Sequence, residues 1–199
     1  MRTVIYIPPL PRMSGGIAVL YQLAESLRAA GRECAFVSSG DTALGLADAT
    51  GKGFELLPWS AEGRFLAKED VYIVPEGWPN ALAPGFAAKC RCAVYVQNWA
   101  YLLSGLPAGV RWPQLPVSFI AVSQPVAWFL TSMMNLPVSG IVRPALNAER
   151  FAPLNKNAGT IRIAWMPRKN KALAEQIRSI TEAALERESI PPLEWAELH

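Results

Sequence analysis

Two hydrophobic rhythms alternate along the chain. Residues 3–7 are β-branched and aromatic with almost no polar interruption, the pattern of a strand buried on both faces of a parallel sheet. Pro8, Pro9 and Pro11 end it, because proline donates no hydrogen bond to a ladder. Apolar residues then recur at spacings of three and four, at Ile17, Leu20, Ala24 and Leu27, which predicts a helix that Gly31 closes. The alternation repeats. Strands are expected over 33–37, 53–57, 71–74, 92–96, 118–122 and 139–142, and helices over 42–50 and within 79–89. A further helix is expected after Ser123, with Val126, Phe129, Leu130 and Met133 as its apolar stripe.

Short strands alternating with helices predict an α/β fold, a Rossmann-like, doubly wound parallel sheet. Residues 143–159 break the rhythm with two prolines, three asparagines and a glycine, and read as a linker. Beyond it come a strand over 160–166, a helix over 171–187 with Leu173, Ile177, Ile180 and Ala184 on one face, and a strand over 193–198. The expected organisation is a first domain over 1–142, a linker over 143–159, and a second, incomplete βαβ unit over 160–199 that cannot close a core alone.

Composition narrows the chemistry. The net charge is +3, with acidic and basic residues balanced on both sides of residue 150, which argues against a nucleic-acid partner. No apolar run approaches the roughly 18 residues a membrane span needs, and the first residues are too strand-like for a secretory signal. A cytoplasmic protein is expected. Cys34, Cys90 and Cys92 make no disulfide framework, and the one histidine is His199. That composition argues strongly against Ser-His-Asp and Cys-His catalysis and histidine-rich zinc sites. Any reaction must rely on carboxylates, on Arg and Lys, or on the substrate's own phosphate.

Ligands of doubly wound sheets bind at the carboxyl ends of the strands, which ranks the residues there. Gly15 and Gly16, behind the capping Ser14, either offer bare N–H groups to a phosphate at a helix N-terminus or only make a tight turn. Glu76, in VPEGWP, either binds a hydroxyl or acts as a base, or caps the next turn. Gln97 and Asn98 either hydrogen-bond a sugar or close a loop, and Ser123 closes the following strand. Arg168, Lys169 and Lys171 crowd a second helix N-terminus, where cations are unfavourable unless an anion joins them. Residues 99–119 are apolar and aromatic yet rich in turn formers. They line a cleft, touch a bilayer surface, or fold onto their own core.

Taken together the pieces resemble glycosyltransferase family 4, enzymes of the two-domain GT-B architecture. The matching stretches are GGIAVLYQLAESLRAAG, the VPE ending at Glu76, VYVQN over 94–98, IAVSQPVAWFL over 120–130, RPALNAERFAP and IAWMPRKN. The resemblance implies a retaining, metal-independent transfer of a sugar from a nucleotide-sugar to a saccharide or lipid-linked acceptor, with no metal and no cofactor expected beyond the nucleotide-sugar substrate. Gly15 and Gly16 then approach the donor diphosphate from the first domain, and Arg168 with Lys169 or Lys171 matches the cations that clamp it from the second. Gln97, Asn98 and Ser123 fall on the acceptor side, with Glu76 the catalytic candidate. The family's Glu-x7-Glu motif and acceptor-side histidine have no counterpart here, so the chain reads as truncated: a shortened product, the first half of a split gene, or a fragment. The other function compatible with the sequence is a non-catalytic phosphate- or sugar-binding module. Peripheral contact with the inner membrane face and self-association through the open second unit complete the expectations.

Overall fold

The computed structural model describes residues 1–40, 53–145, 162–167, 170–191 and 193–197. The chain divides into two compact units, Met1–Leu146 and Asn147–His199.

The first unit is a seven-stranded sheet in the order β3-β2-β1-β4-β5-β6-β7. Its strands are β1 (Thr3–Tyr6), β2 (Cys34–Val37), β3 (Glu55–Leu57), β4 (Val71–Pro75), β5 (Arg91–Val96), β6 (Val117–Ala121) and β7 (Val138–Ile141). Every neighbouring pair is parallel. β1 runs beside both β2 and β4, with Thr3 in register with Cys34 on one side and Val71 on the other. Strand order reverses at that point, which makes the gap between the carboxyl ends of β1 and β4 the topological switch point.

The unbroken apolar run of β1 follows from its place in the middle of the sheet. Val4 and Tyr6 face one core with Tyr72, Val74, Val94 and Phe119, while Ile5 and Ile7 face a second core with Phe36, Ile73 and Tyr95. Helix α1 (Gly15–Ala29) covers the second core with Ile17, Leu20, Tyr21 and Ala24, each large side chain contributing roughly 1.5–3 kcal/mol of burial. The opposite face is covered by α2 (Ala83–Ala88), by α3 (Gln124–Ser132) through Val126, Ala127 and Leu130, and by Trp112 and Leu102 of the loop between β5 and β6. Helices on both faces make this the expected mixed α/β, Rossmann-like fold.

Several local expectations shift. Pro75, expected to stop β4, is its last residue, paired with Tyr95, a position where its missing N–H does least harm. Met133 does not join the buried stripe of α3. It lies just past the helix and is exposed, while Ala127 joins Val126 and Leu130 on the buried side. Residues 99–116 are not a plain loop. They hold 3₁₀ turns at Trp99–Leu103 and Trp112–Gln114, and Trp112 Nε1 donates to the Leu102 carbonyl oxygen at 2.8 Å. The helix expected over 42–50 lies outside the described residues.

The second unit contains β8 (Arg162–Trp165), α4 (Lys171–Arg187) and β9 (Glu194–Glu197), with β8 and β9 parallel. Leu173, Ile177 and Ile180, expected to face its core, are each at least half exposed. The strand pair is met instead by another face of α4, where the Arg178 guanidinium lies 5.6 Å from the Trp165 ring and 5.5 Å from the Trp195 ring.

Candidate functional site at the strand carboxyl ends

The residues beyond β1, β4 and β5 meet at the switch point, through the bonds Gln97–Gly16 and Asn98–Glu76, whereas among the described residues no hydrogen bond joins Ser123, past β6, to them. Past β1, Ser14 is the N-cap of α1, and its hydroxyl accepts from the Ile17 N–H at 3.3 Å. The N–H groups of Gly15 and Gly16 precede it and have no partner among the described residues. The first turn of α1 carries no acidic side chain to neutralise its positive end. A Cβ on Gly15 would meet nothing within 4 Å, so its backbone borders open space. Space beside Gly16 is already occupied: a Cβ there would lie 3.5 Å from Gln97 Oε1.

Past β4, Glu76 is only 4 % exposed. Its Oε1 accepts from the Asn98 N–H at 2.8 Å, while Oε2 has no hydrogen-bond partner among the described residues. Burial pushes the Glu76 carboxyl above its usual range, and backbone N–H groups, including those of Asn98 and Gln97, pull part of the way back. The charge is felt nearby. Burial first, and the Glu76 carboxylate second, raise the Tyr95 hydroxyl to about 12, so Tyr95 stays protonated and donates to the Val142 carbonyl oxygen at 2.8 Å.

Past β5, Gln97 and Asn98 take different roles. Gln97 Nε2 donates to the Gly16 carbonyl oxygen at 3.1 Å, joining the end of β5 to the start of α1. Asn98 caps the turn Trp99–Leu103, its Oδ1 accepting from the Ala100 N–H at 3.0 Å. Past β6, Ser123 is the N-cap residue of α3 but its side chain makes no capping hydrogen bond. The strand-end rule also ranks Ser39, past β2, but not its partner: Tyr6 and Ser39 share a hydroxyl–hydroxyl hydrogen bond of 2.7 Å.

In the second unit, Lys171 opens α4 and pairs with Glu175 at 3.6 Å, one turn along. Arg168 and Lys169 lie outside the described residues. Among the described residues no group of three His, Cys, Asp or Glu side chains is placed to hold a metal ion. Burial raises the Cys34 thiol to about 11 and the Cys92 thiol to about 12, which disfavours thiolate chemistry at either. Among the described residues no helix is long and apolar enough to cross a membrane.

Comparison with known proteins places the fold. No family model matches the chain, and no curated protein matches it in sequence. A solved structure does: a glycosyltransferase from Rickettsia africae ESF-5, with a TM-score of 0.56 at 13 % identity over 96 % of this chain. The chain has a glycosyltransferase-like α/β fold. It spans 50 % of the length of that solved chain.

Proposed function

We propose that the protein is a retaining glycosyltransferase, or the acceptor-side part of one, that uses a nucleotide-sugar and no metal. The observation that carries this reading is the convergence at the switch point of an uncompensated helix N-terminus, open space over Gly15, and the buried, half-satisfied carboxyl of Glu76. A helix N-terminus with bare N–H groups suits the diphosphate of a donor. A buried carboxylate oxygen without a donor suits a hydroxyl of a sugar acceptor.

In this reading the acceptor oxygen bonds to the anomeric carbon as the bond from that carbon to the diphosphate breaks. The hydroxyl proton passes to the departing phosphate oxygen, so no histidine base is required. Glu76 orients the acceptor by accepting its hydrogen bond before transfer, and Gln97 holds the Gly16 backbone in place. Arg168, Lys169 and Lys171 supply positive charge to the leaving diphosphate, which is electrostatic rather than covalent work. Asn98 and Ser123 border the acceptor side, and the acceptor is a saccharide or a lipid-linked saccharide.

The experiment is a thermal-shift screen of nucleotide-sugars followed by donor hydrolysis and transfer assays, on this chain alone and together with any polypeptide encoded downstream. Stabilisation by one donor and turnover that Glu76→Gln suppresses support the reading. Stabilisation without turnover in either form identifies a non-catalytic binding module. No stabilisation by any donor removes both.

A further inference from the structure

We propose that Cys90 and Cys92 form a two-sulfur site for a soft monovalent metal ion of the Cu(I) class. The pair lies at the amino end of β5, whereas the candidate site follows its carboxyl end. The inference therefore goes beyond the transfer reading and does not rest on it.

The chain sets the geometry. Cys90 immediately precedes β5 and Cys92 is its second residue, so a spacing of two puts both side chains on one face of the sheet. Helix α2 covers that face and meets the pair at Gly85. A Cβ on Gly85 would collide with the Cys92 Sγ and lie 3.6 Å from the Cys90 Sγ, so the bare glycine leaves the space the two sulfurs fill. The thiols interact directly with one another there. Their other contacts are long: Cys90 Sγ donates to the Gly85 carbonyl oxygen at 3.6 Å and Cys92 Sγ to the Cys90 carbonyl oxygen at 3.8 Å. Tyr72 packs against the same glycine, and its buried hydroxyl has no hydrogen-bond partner among the described residues. The charges of Cys92 and Cys90 both reach that hydroxyl. An unspent buried donor is costly beside neutral thiols and favourable beside metal-bound thiolates.

The donor set selects the ion. Sulfur is a soft ligand and favours Cu(I) over Mg²⁺ or Ca²⁺. Structural Zn²⁺ takes four ligands, and among the described residues no third Cys, His, Asp or Glu is placed to join the pair. Two sulfurs alone suit a monovalent ion that accepts two-coordinate geometry. Half-buried Cys90 gives the ion its way in, and Cys92, 5 % exposed, holds it away from water. Burial raises both thiols, and the Asp70 charge adds to the rise at Cys90, so both are protonated at neutral pH in the metal-free chain. The ion must displace two protons to solvent, one from each sulfur, as the two sulfur–metal bonds form and leave a singly negative complex.

The test is anaerobic titration of Cu(I) into the reduced 199-residue chain against a chromogenic Cu(I) chelator, bathocuproine disulfonate. One ion per chain is expected, with a thiolate-to-copper absorption band in the ultraviolet. The apparent affinity should rise with pH by up to about a hundredfold per unit, because two protons leave. Cys90→Ser should weaken it by about a hundredfold or more, and Cys34→Ser should leave it unchanged. Circular dichroism checks the fold. Cys90→Ser is the primary variant because its side chain is half-buried, and Cys92→Ser is the second. No uptake against the chelator overturns the inference, as does an affinity unchanged in folded Cys90→Ser. A one-proton pH dependence overturns it too, by assigning the ion to a single sulfur. Zn²⁺ held as tightly as Cu(I) overturns it by requiring ligands the pair does not supply.

Discussion

Gln97 reaches back across the sheet to hold Gly16, its side-chain amide donating to the Gly16 carbonyl oxygen at 3.1 Å. The two neighbouring glycines are thereby unequal. Gly16 is held and shielded by an amide, whereas Gly15 borders open space. If a diphosphate approaches bare backbone at this helix start, Gly15 is where a methyl group obstructs it. Gly15→Ala is therefore expected to leave the fold intact and to stabilise α1 by about 0.5 kcal/mol, because alanine loses less entropy in a helix than glycine. It should weaken nucleoside-diphosphate affinity by about tenfold, a loss of about 1.4 kcal/mol. Calorimetric titration and a thermal melt on the same protein check both halves. A lower melting temperature with unchanged affinity would assign Gly15 to the turn alone.

Glu76→Gln should separate stability from function. Burial raises the folded-state pKa of Glu76, so the protonated form is favoured on folding. The contribution to stability is then full below the unfolded pKa and is lost as pH rises through the folded value. At neutral pH the wild-type carboxylate is a cost, and the neutral amide removes it while its oxygen still accepts from Asn98. The variant should melt higher near neutral pH, by about 2–4 °C for each kcal/mol recovered. That advantage should shrink toward pH 4. Transfer activity should fall by about tenfold, because the amide offers the acceptor hydroxyl a weaker, uncharged acceptor. A melting temperature that drops at every pH would assign Glu76 a purely structural role.

The sheet was legible because its strands are buried on both faces, so runs such as VIYI and AVYV announce themselves without any need for alternation. The helix α1 was equally plain, since its stripe, its Ser14 cap and its terminal glycine agree; Gly31 takes φ +71, as a left-handed closing residue must. The site was half legible. Glu76 and Gln97 could be ranked from their places after strands, but their partners could not, because the bond from Gln97 to Gly16 joins residues 81 apart in sequence. Residues 99–116 misled for a related reason. Prolines and glycines advertise turns, yet nothing local says that Trp112 will fold back onto the Leu102 carbonyl and enter the core. In the second unit, periodicity identified an apolar stripe on α4 correctly as a stripe, but periodicity does not say what faces it.

At the other end of the sheet, Asp70 ties the first strand to the fourth. Its Oδ1 accepts from the Arg2 N–H at 3.1 Å, and its Oδ2 accepts from the Ala67 N–H at 3.0 Å and from the Arg2 guanidinium at 3.2 Å. Burial alone pushes this carboxyl up, but the hydrogen bonds and the Arg2 charge more than offset it and hold the pKa below its ordinary value. Stability from Asp70 is therefore present above the unfolded pKa and is lost as pH falls through the depressed folded value. Asp70→Asn should cost about 1.5–3 kcal/mol at neutral pH, because it removes the charge-assisted bonds from Arg2 and leaves that guanidinium only the exposed Glu55 carboxylate at 3.6 Å. The cost should diminish in acid, and urea melts at pH 7 and pH 3 measure the difference. Ligand affinity at the opposite strand ends should be unchanged.

Charge at the start of α4 provides a test independent of the first unit. Lys171 stands at the positive end of the helix dipole, and Glu175 partly compensates it at 3.6 Å. Replacing Arg168 and Lys171 together by alanine should remove an unfavourable cation–dipole contact, so stability should be unchanged or slightly higher. Nucleoside-diphosphate binding should be lost, falling by about a hundredfold or more if each cation makes a charge-assisted hydrogen bond to phosphate. Equilibrium binding of a nucleoside diphosphate, compared with the free nucleoside, reads the effect. Affinity that survives the double substitution would detach the phosphate role from this loop.

The exposed stripe on α4 predicts association. Arg178 occupies the side of the helix that meets Trp165 and Trp195, so the strand pair is already covered by a cation–π contact. Leu173, Ile177 and Ile180 therefore form a second apolar face that β8 and β9 do not bury. Half exposed together on one helix, three such side chains retain about half the roughly 1.5–3 kcal/mol each that full burial is worth, available to any surface that covers them. The chain alone should self-associate as its concentration rises, with a sedimentation coefficient that increases from micromolar to tenth-millimolar protein. Ile177→Lys with Ile180→Lys should hold it monomeric without lowering its melting temperature, because neither side chain supports the strand pair. A wild-type chain that sediments as a single monomeric species across that range would show that these side chains find cover by some other route.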